Sequence, residues 1–462
     1  MRTPPLELHQ GGPVSSSRRV SSKFKAVAGG VVAASGFRTG AVFCDLKRLG
    51  TGKGSARGAK RDLALLVADG PCAVAGMFTT NQVCAAPVKV CVARVAKGLA
   101  QAVVVNSGNA NACTGRRGSV DALKMTRWME EVLGVPDGLG LVASTGRIGV
   151  PLPMDRVRSG IIAASAVLGR SAAHASHAAE AILTSDTRPK ECAVEFRLAG
   201  RTVRIGGMCK GAGMIQPGMS ANGARPAARP RSLHATMLAF LTTDAAIEAR
   251  ALRGVLQEAV ARSFNRITVD GDMSTNDTVL LLAGGAAGNR RLGLRDREMG
   301  IFQEALSAVC LDLALKIVRD GEGVHRVVTV RVSGAISDAA ADAAARSVAN
   351  SALVKTSWHG GDPNWGRIMD ALGYSPATVA ENRVDIGYSK PGLRRVVWSL
   401  RRGQPTRVPF DALCRAVAPG EFDLHIRLNL GRGAAVMYAA DLTEAYVEYN
   451  KGDVNDPASL GG

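Results

Sequence analysis

The sequence predicts an α/β protein in which strands and helices form mixed layers. Three observations lead to this prediction. The chain has 462 residues, and at roughly 100–200 residues per domain this length indicates two domains or one large two-lobed unit. Hydrophobic residues make up 46% and charged residues 21%, which is enough to bury a large core. Apolar runs and helical patterns alternate without a strict β-α-β period, so a doubly wound sheet is not expected.

Short apolar runs predict the strands. LALLV at residues 63–67 and AVVV at residues 102–105 are rich in Leu or β-branched residues and end in turn residues, which is typical of buried strands. Residues 194–205 predict a hairpin that turns at Ala199-Gly200, and residues 326–332 alternate as a half-buried strand.

Apolar spacing predicts the helices. Residues 119–133 predict a helix that Ser119 caps. Its apolar stripe would contain Val120, Leu123, Trp128, Val132 and Leu133. Further helices are predicted at residues 156–183, 249–263 and 298–318.

Composition narrows the function classes. Lys and Arg number 58 against 39 Asp and Glu, a formal charge of +19, but much of the excess lies in residues 1–60. Aromatic residues are only 4%, and no basic run is interleaved with them, so nucleic acid is not an expected partner. The nine cysteines form no C-x-x-C pair, which argues against a disulfide framework or a zinc cluster. No strongly apolar run is long enough to span a membrane.

The N-terminal segment has its own composition. Residues 1–25 contain five serines, five basic residues and one acid, without an apolar signal-peptide core. Such a composition is typical of an organellar transit peptide. The alternative is a disordered N-terminal arm.

Several polar stretches are candidate sites. Residues 50–55 (GTGKGS) depart from the phosphate-loop spacing, and His174 with His177 lacks a third metal ligand nearby. DGDMSTND at residues 270–277 does not complete an EF-hand, so it is either another cation site or a turn whose polar groups satisfy one another. Residues 220–233, rich in Pro and Arg, predict an exposed loop.

Two further polar turns are candidate positions for functional residues. NSGNANA, from Asn106, directly follows an apolar strand, a common position for functional residues. STG, from Ser144, can present a hydroxyl and a backbone N–H side by side, which an oxyanion hole requires.

Together these stretches resemble the ornithine acetyltransferase family of arginine biosynthesis, the bifunctional glutamate N-acetyltransferases. The resemblance covers almost the whole chain, and its motifs run in family order. They are GGV at Gly29, RDLAL at Arg61, FTTN at Phe78, NSGNANACTG at Asn106, STG at Ser144, PLPM at Pro151, TSDTRPK at Thr184, KGAGMIQPGM at Lys210, ATMLAFLTTDA at Ala235, DGDMSTND at Asp270, RDGEG at Arg319, LVKT at Leu353, GDPNWGRI at Gly361 and DLTEAYVEYN at Asp441.

The resemblance implies a self-processing enzyme. Family members cut themselves before a threonine, which here predicts cleavage between Ala235 and Thr236. Residues 26–235 would form the α chain and residues 236–462 the β chain, assembled as an α2β2 heterotetramer. The new N-terminal Thr236 would carry a hydroxyl nucleophile and a free α-amine that serves as its base. The implied fold is a layered α/β sandwich with a smaller C-terminal lobe.

The resemblance also implies the remaining site residues. Thr145 and Gly146 would form the oxyanion hole. The substrate contacts would be Thr184, Lys210, Thr236, Glu322, Asn450 and, at a position where the family has a hydroxyl residue, Asn455. Lys210 suits a substrate carboxylate, and Glu322 suits a substrate amine.

The implied reaction is ping-pong. Thr236 would take the acetyl group from N2-acetylornithine, and glutamate would then accept it as N-acetylglutamate. No metal or prosthetic group is expected, and acetyl-CoA is a possible second donor. The family implies import into an organelle, with the plastid favoured over the mitochondrion, or a cytoplasmic location if the N-terminal segment is not a transit peptide.

Two departures from the family pattern leave alternatives open. Residues 220–234 form a basic insert between Met219 and Ala235, which predicts slower self-cleavage because a flexible loop relaxes strain at the scissile bond. The second departure is Asn455 itself. The alternatives are a related amidase or aminopeptidase with an N-terminal threonine, or an unprocessed, inactive paralogue.

Overall fold

The structure is a computed structural model that describes residues 23–47, 60–224 and 237–451. Its chain divides into two compact units. The small unit contains Gly323–Tyr449, and the large unit contains the described residues before and after this segment. The predicted smaller C-terminal lobe is therefore confirmed.

Strands of the large unit form one mixed sheet. Its described members are β1 (Lys25–Ala26), β2 (Phe37–Val42), β3 (Leu63–Phe78), β4 (Leu99–Asn109), β5 (Gly140–Arg147), β6 (Lys190–Leu198), β7 (Arg201–Lys210), β8 (Leu238–Thr243) and β10 (Thr278–Ala283). The short strand β9 (Ile267–Thr268) also belongs to the large unit but is not one of the strands of this sheet. The sheet has the order β1-β6-β7-β8-β10-β3-β4-β5, and β2 pairs with β3. β8 with β10 and β4 with β5 run parallel, while the other neighbours run antiparallel.

Helices cover this sheet. Those described are α1 (Ala86–Val95), α2 (Gly115–Leu133), α3 (Met154–Ala166), α4 (Ala172–Ala181), α5 (Ala249–Ala261) and α6 (Met299–Arg319). β8 and β10 are buried at every position, which indicates that both faces of the sheet are covered there. One core joins β2–β5 with side chains of α1–α4. The mixed α/β architecture is as predicted.

Two helix predictions were wrong in detail. The single helix at residues 156–183 is two helices, α3 and α4. The chain leaves the helical path because Gly169 pairs with Thr39 through two backbone hydrogen bonds, and Ser171 then caps α4 by accepting from the N–H of His174. In addition, α2 begins at Gly115, so Ser119 lies inside it and is not its cap.

The buried face of α2 also differs from the prediction. Val120 and Leu123 are 42% and 50% exposed, whereas Met125 and Met129 are fully buried. Both sets recur at helical spacing, so apolar periodicity alone does not decide which of them faces the core.

The other predicted elements are confirmed. The runs at 63–67 and 102–105 lie in β3 and β4, and the helices predicted at 249–263 and 298–318 are α5 and α6. The hairpin of β6 and β7 turns at Ala199-Gly200, where φ is 46° and 77°.

The small unit has its own sheet and core. Its strands are β11 (Val327–Ala335), β12 (Asp385–Ser389), β13 (Val397–Arg401), β14 (Gln404–Pro405), β15 (Glu421–Arg427) and β16 (Gly433–Ala440); its helices are α7 (Asp338–Asn350), α8 (Ala352–His359), α9 (Trp365–Gly373), α10 (Phe410–Val417) and α11 (Glu444–Tyr449). Within this unit the strands pair in the order β14-β13-β12-β15-β11-β16. β11 is the strand predicted at 326–332. Trp358, Tyr388 and Phe422 are the largest side chains of the core.

Membrane-spanning helices were also sought. Of the helices described in both units, none combines the length and the apolar character that crossing a membrane requires.

Candidate active site

Three of the polar motifs meet at one place in the large unit. The Asn276 side-chain amide donates hydrogen bonds to the carbonyls of Ala110, at 2.6 Å, and Ser144, at 2.8 Å. The Ser144 hydroxyl donates to Asn106 Oδ1 at 2.7 Å. These buried contacts join the stretches that begin at Asn106, Ser144 and Asp270.

Thr145 and Gly146 lie at the end of β5, beside the end of β4. Thr145 is fully buried, and within the described residues its hydroxyl oxygen has no hydrogen-bond partner. Leaving such a group unsatisfied costs about 1–3 kcal/mol, so a buried hydroxyl of this kind calls for a specific explanation. Gly146 has φ 126°, and a Cβ there would lie 2.4 Å from the Gly108 carbonyl carbon. Only glycine fits this position.

Asp277 holds the residue that follows the predicted nucleophile. The N–H of Met237 donates to Asp277 Oδ1 at 2.5 Å, and the Met237 carbonyl accepts from the N–H of Thr278 at 3.1 Å. Burial raises the pKa of the Asp277 carboxyl well above its usual value, although the Met237 hydrogen bond and Lys210 act in the opposite direction. Asp277 Oδ2 accepts no hydrogen bond from the part of the chain that the structure describes. Ala235 and Thr236 lie outside the described residues.

Lys210 ends β7 with a buried ammonium group. Its Nζ donates to the Thr184 hydroxyl at 2.7 Å and lies 3.9 Å from Asp186 Oδ2. Burial lowers the pKa of Lys210, and the positive charge of Lys190 adds to this effect, while Asp186 and Glu322 oppose it. The structure thus brings together two predicted substrate-binding residues, Thr184 and Lys210.

Beneath this pair lies an ion network that sequence reasoning missed. Lys190 Nζ contacts Asp186 Oδ1 at 2.6 Å and Asp320 Oδ2 at 2.5 Å, and all three side chains are buried. Burial alone would raise the pKa of Asp186, but the charges of Lys190 and Lys210 outweigh it and hold this pKa below its usual range. Residues 184–190 are not helical and contain Pro189, so the four-residue spacing of Asp186 and Lys190 gave no usable signal of this pair.

Glu322, three residues after the end of α6, lies against the KGAGMIQPGM motif that begins at Lys210. A Cβ on Gly213 would lie 2.4 Å from the Glu322 carboxyl carbon, so this glycine makes room for the carboxylate. Asn450 Nδ2 donates to Glu322 Oε2 at 2.9 Å. Burial raises the pKa of Glu322, while hydrogen bonds from Ser185 and Asn450 lower it. Asn455 lies outside the described residues.

Two weaker candidates resolve as structural features. Asp270 accepts from the N–H groups of Met214, at 2.6 Å, and Ile215, at 2.8 Å, so the start of DGDMSTND satisfies the backbone as a turn. His174 and His177 lie one turn apart on α4 with partly exposed rings. The phosphate-loop candidate at residues 50–55 lies outside the described residues, as do residues 225–234 of the insert.

Comparison with known proteins identifies the family. The family model for ArgJ matches residues 48–452. The arginine biosynthesis bifunctional protein ArgJ of Symbiobacterium thermophilum is 46% identical over 424 residues, which cover 92% of this chain and 98% of that protein.

Two solved structures are also similar in sequence. The arginine biosynthesis bifunctional protein ArgJ of Bacillus halodurans is 37% identical, with a TM-score of 0.43, and the match covers 45% of this chain and 95% of that chain. The ornithine acetyltransferase of Mycobacterium tuberculosis, solved with ornithine, is 35% identical, with a TM-score of 0.39, over 43% of this chain and 100% of that chain. The family match over most of the chain confirms the resemblance found in the sequence: this chain belongs to the ArgJ family, the bifunctional acetyltransferases of arginine biosynthesis.

Proposed function

We propose that this chain transfers the acetyl group of N2-acetylornithine to glutamate through an acetyl ester on Thr236. The Thr236 hydroxyl attacks the acetyl carbonyl, its own α-amine takes up the proton, and ornithine leaves with a proton on the released nitrogen. The α-amine of glutamate then attacks the ester, which frees Thr236 and yields N-acetylglutamate. Membership of the ArgJ family and the ornithine-bound relative support this reaction.

The observation that carries the proposal is the bridge made by Asn276 and Asp277. Asn276 binds the carbonyl of Ser144, the neighbour of Thr145, and Asp277 binds the N–H of Met237, the residue bonded to Thr236. Adjacent residues therefore hold the proposed oxyanion hole and the chain next to the proposed nucleophile. The Thr145 hydroxyl has no hydrogen-bond partner among the described residues, which supports its role as a donor to the developing oxyanion.

The substrate amino acid would be held by charges of opposite sign. Lys210 with Thr184 would bind a carboxylate, because Lys190 pairs with Asp186 and Asp320 and Arg188 adds a second cation beside Asp320, so the charge of Lys210 is left for a substrate. Glu322, positioned by Asn450, would bind an amine. Asn455 would complete the substrate contacts.

Activation would require cleavage between Ala235 and Thr236, giving an α chain of residues 26–235 and a β chain of residues 236–462. We propose that two copies of each form an α2β2 heterotetramer. Exposed apolar side chains on α2 and on α3, which packs against it, support an association surface; they include Val120, Leu123 and Ile162. Native mass spectrometry would show the four-chain assembly.

Two further proposals concern the acetyl donor and the compartment. Acetyl-CoA would serve as a second donor, and the Thr236 chemistry would need no metal or prosthetic group. The composition of residues 1–25 supports import into an organelle, with the plastid favoured. Incubation of the full chain with isolated plastids and mitochondria would show which organelle shortens and protects it; protection in neither would leave the cytoplasm.

The deciding experiment combines mass spectrometry with an assay that distinguishes transfer of the acetyl group to glutamate from its release as acetate. Intact-mass measurement should give two chains, with the second beginning at Thr236. On mixing with N2-acetylornithine, the β chain should gain one acetyl group and release ornithine, and added glutamate should remove the acetyl group as N-acetylglutamate. Free acetate in place of N-acetylglutamate would indicate an amidase, and a stable single chain would indicate an unprocessed paralogue.

A further inference from the structure

A cluster of two histidines and an aspartate lies in the small unit, outside the proposed active site. His325 precedes β11, His359 ends α8, and Asp441 follows β16. One nitrogen of each ring and one carboxylate oxygen lie within 4.8 Å of one another. Three segments distant in sequence thus converge with groups that bind transition metals.

Asp441 has a buried carboxylate whose hydrogen bonding is only half used. The side chain is 4% exposed, and its Oδ1 accepts from the N–H of His325 at 3.0 Å. Its Oδ2 accepts no hydrogen bond from any described residue, and His359 Nδ1 likewise has no hydrogen-bond partner among them. These two atoms face each other at 3.5 Å, which is too far for a good hydrogen bond.

The spacing suits a bound ion. Zinc–ligand bonds of about 2.0–2.2 Å at tetrahedral angles place two ligand atoms about 3.3–3.6 Å apart, and the separation of His359 Nδ1 from Asp441 Oδ2 falls in this range. Two imidazoles on such an ion have ring centres about 5.2 Å apart. The rings of His325 and His359 are 5.1 Å apart.

The second nitrogen of His359 is already oriented by a carboxylate. His359 Nε2 lies 2.7 Å from Glu444 Oε2. A metal-binding histidine usually donates its other N–H to a carboxylate or a carbonyl, which fixes the tautomer that leaves the ligand nitrogen unprotonated. With Nε2–H donated to Glu444, Nδ1 presents a lone pair toward Asp441.

Arg326 is the positive group that competes for Asp441. The carboxylate and the guanidinium attract each other, but Arg326 Nη1 donates to the carbonyls of Trp358, at 2.6 Å, and His359. This arrangement directs the guanidinium to the end of α8, and no donor in the described part of the chain bonds to Asp441 Oδ2. Electrostatic attraction to Arg326 alone would explain the charge of Asp441, but it would not explain two histidine rings that converge with this carboxylate.

We propose that His325, His359 and Asp441 bind one divalent transition-metal ion of the zinc class, with water as the remaining ligand. Two imidazoles and a carboxylate suit Zn²⁺ and its spectroscopic substitute Co²⁺. The ion fastens β11, the end of α8 and the segment after β16 to one another. It takes no part in the Thr236 chemistry and raises the thermal stability of the small unit, because it binds only the folded arrangement.

The test uses the full-length protein after dialysis against a chelator. Titration with Co²⁺ should reveal the visible bands of tetrahedral cobalt at one ion per chain, and Zn²⁺ should displace it and raise the Tm. H325A and D441N should each weaken Co²⁺ binding by at least tenfold. E444Q changes a side chain that is 89% exposed and is not itself a proposed ligand. It should weaken Co²⁺ binding by about tenfold, because Glu444 acts only by orienting His359.

A matched control separates this site from incidental binding to surface histidines. The double variant H174A/H177A removes the other close histidine pair of the described chain, on α4, and should bind Co²⁺ as the wild type does. The proposal fails if the wild type binds no Co²⁺ at one equivalent, if the control loses the binding, or if H325A and E444Q both leave it unchanged. None of these readouts depends on acetyl transfer.

Discussion

At the scale of single residues, the buried hydroxyl of Thr145 is the clearest sign of catalytic use. T145V keeps the shape of the side chain and removes an oxygen that has no partner among the described residues, so the free energy of unfolding should not fall. Because one donor to the oxyanion is lost, kcat should fall about 10²- to 10³-fold with little change in KM. Steady-state kinetics with N2-acetylornithine and glutamate measure both constants.

The control for this variant is T39V. Thr39 is equally buried, but its hydroxyl donates to the Leu65 carbonyl at 2.6 Å. T39V should therefore lower the free energy of unfolding by about 1 kcal/mol and leave kcat near the wild-type value. An unchanged kcat in T145V would remove Thr145 from the proposed oxyanion hole.

The buried carboxyl of Asp277 should make stability depend on pH. Its pKa in the folded chain is raised above the ordinary value of 3.8, so the folded state keeps a proton that the unfolded state releases. The contribution of Asp277 to stability is therefore fully present below pH 3.8, and it falls by about 1.4 kcal/mol per pH unit as pH rises toward the folded pKa. The comparison uses the T236A variant, which stays uncleaved, with and without D277N. The double variant should lack the decrease in stability as pH rises. Denaturant unfolding from acidic to neutral pH tests it, and parallel curves would contradict the prediction.

Sequence motifs predicted the residues that face the substrate better than those that support them. Thr145 and Lys210 stand in motifs that the family shares, and the structure places both in the large unit with buried side chains. Lys190 and Asp320 could not be paired from the sequence, because their contact joins positions 130 residues apart. Asp277 lay within a motif whose first carboxylate, Asp270, accepts backbone hydrogen bonds as part of a turn, and composition does not distinguish the two.

At the scale of elements, Gly213 determines where Glu322 can lie. In G213A the new Cβ would meet the Glu322 carboxylate at 2.4 Å and displace it. The loss of a hydrogen bond to a charged group, about 1.5–3 kcal/mol, should raise KM for N2-acetylornithine roughly 10- to 100-fold. The control is G254A on α5, where a Cβ would make only ordinary contact at 3.6 Å. Equal KM values in the two variants would separate Glu322 from substrate binding.

The insert should slow self-cleavage because it relieves strain at the scissile bond. The positions of the described residues on either side of the insert show how much strain a shorter connection would create. Ser220 pairs with Phe78, Phe78 is aligned with Thr278, and Thr278 is aligned with Leu238. Three strand spacings of about 4.8 Å separate Ser220 from Leu238 by about 14 Å. If residues 221–234 are deleted, four residue steps must cover this distance, and an extended chain reaches only about 13–14 Å.

The deletion should therefore place the scissile bond under strain and speed its cleavage. Strain of about 1–3 kcal/mol corresponds to roughly 5- to 150-fold in rate. The time course of the two chains after synthesis, followed by intact mass, measures it. Replacing residues 221–234 with a Gly-Ser linker of equal length is the control and should cleave at the wild-type rate, whereas a deletion that cleaves no faster would refute the strain argument.

Secondary structure was predictable where only local physics decides it. The Ala199-Gly200 turn and α6 follow from turn chemistry and apolar spacing. The break between α3 and α4 depends on the pairing of Gly169 with Thr39, a partner 130 positions away, and the buried face of α2 depends on packing against the sheet. Tertiary contacts therefore decided what periodicity left open.

At the scale of the whole molecule, the pH dependence of kcat/KM should show the ionisation of two groups of the proposed site, the α-amine of Thr236 and the ammonium of Lys210. The α-amine of Thr236 must be neutral to act as a base, which sets the acid limb of kcat/KM near an ordinary pKa of about 7.7–8.0. Lys210 must be charged to bind a carboxylate, and burial lowers its pKa below the usual 10.5. As pH rises through that lowered pKa, the ammonium loses its proton, KM rises and kcat/KM falls.

The substitution K210R isolates the alkaline limb, because a guanidinium stays charged throughout the accessible range. K210R should have a lower kcat/KM at neutral pH but an alkaline limb displaced to higher pH, with the acid limb unchanged. K316R is the control, since Lys316 on α6 donates to the Glu191 carbonyl and pairs with Asp312 away from Lys210; its profile should match that of the wild type. The measurement is kcat/KM for N2-acetylornithine across neutral and alkaline pH. If K210R kept the wild-type alkaline limb, that limb would belong to the substrate amine or to another group, and Lys210 would lose its proposed role as the carboxylate-binding charge.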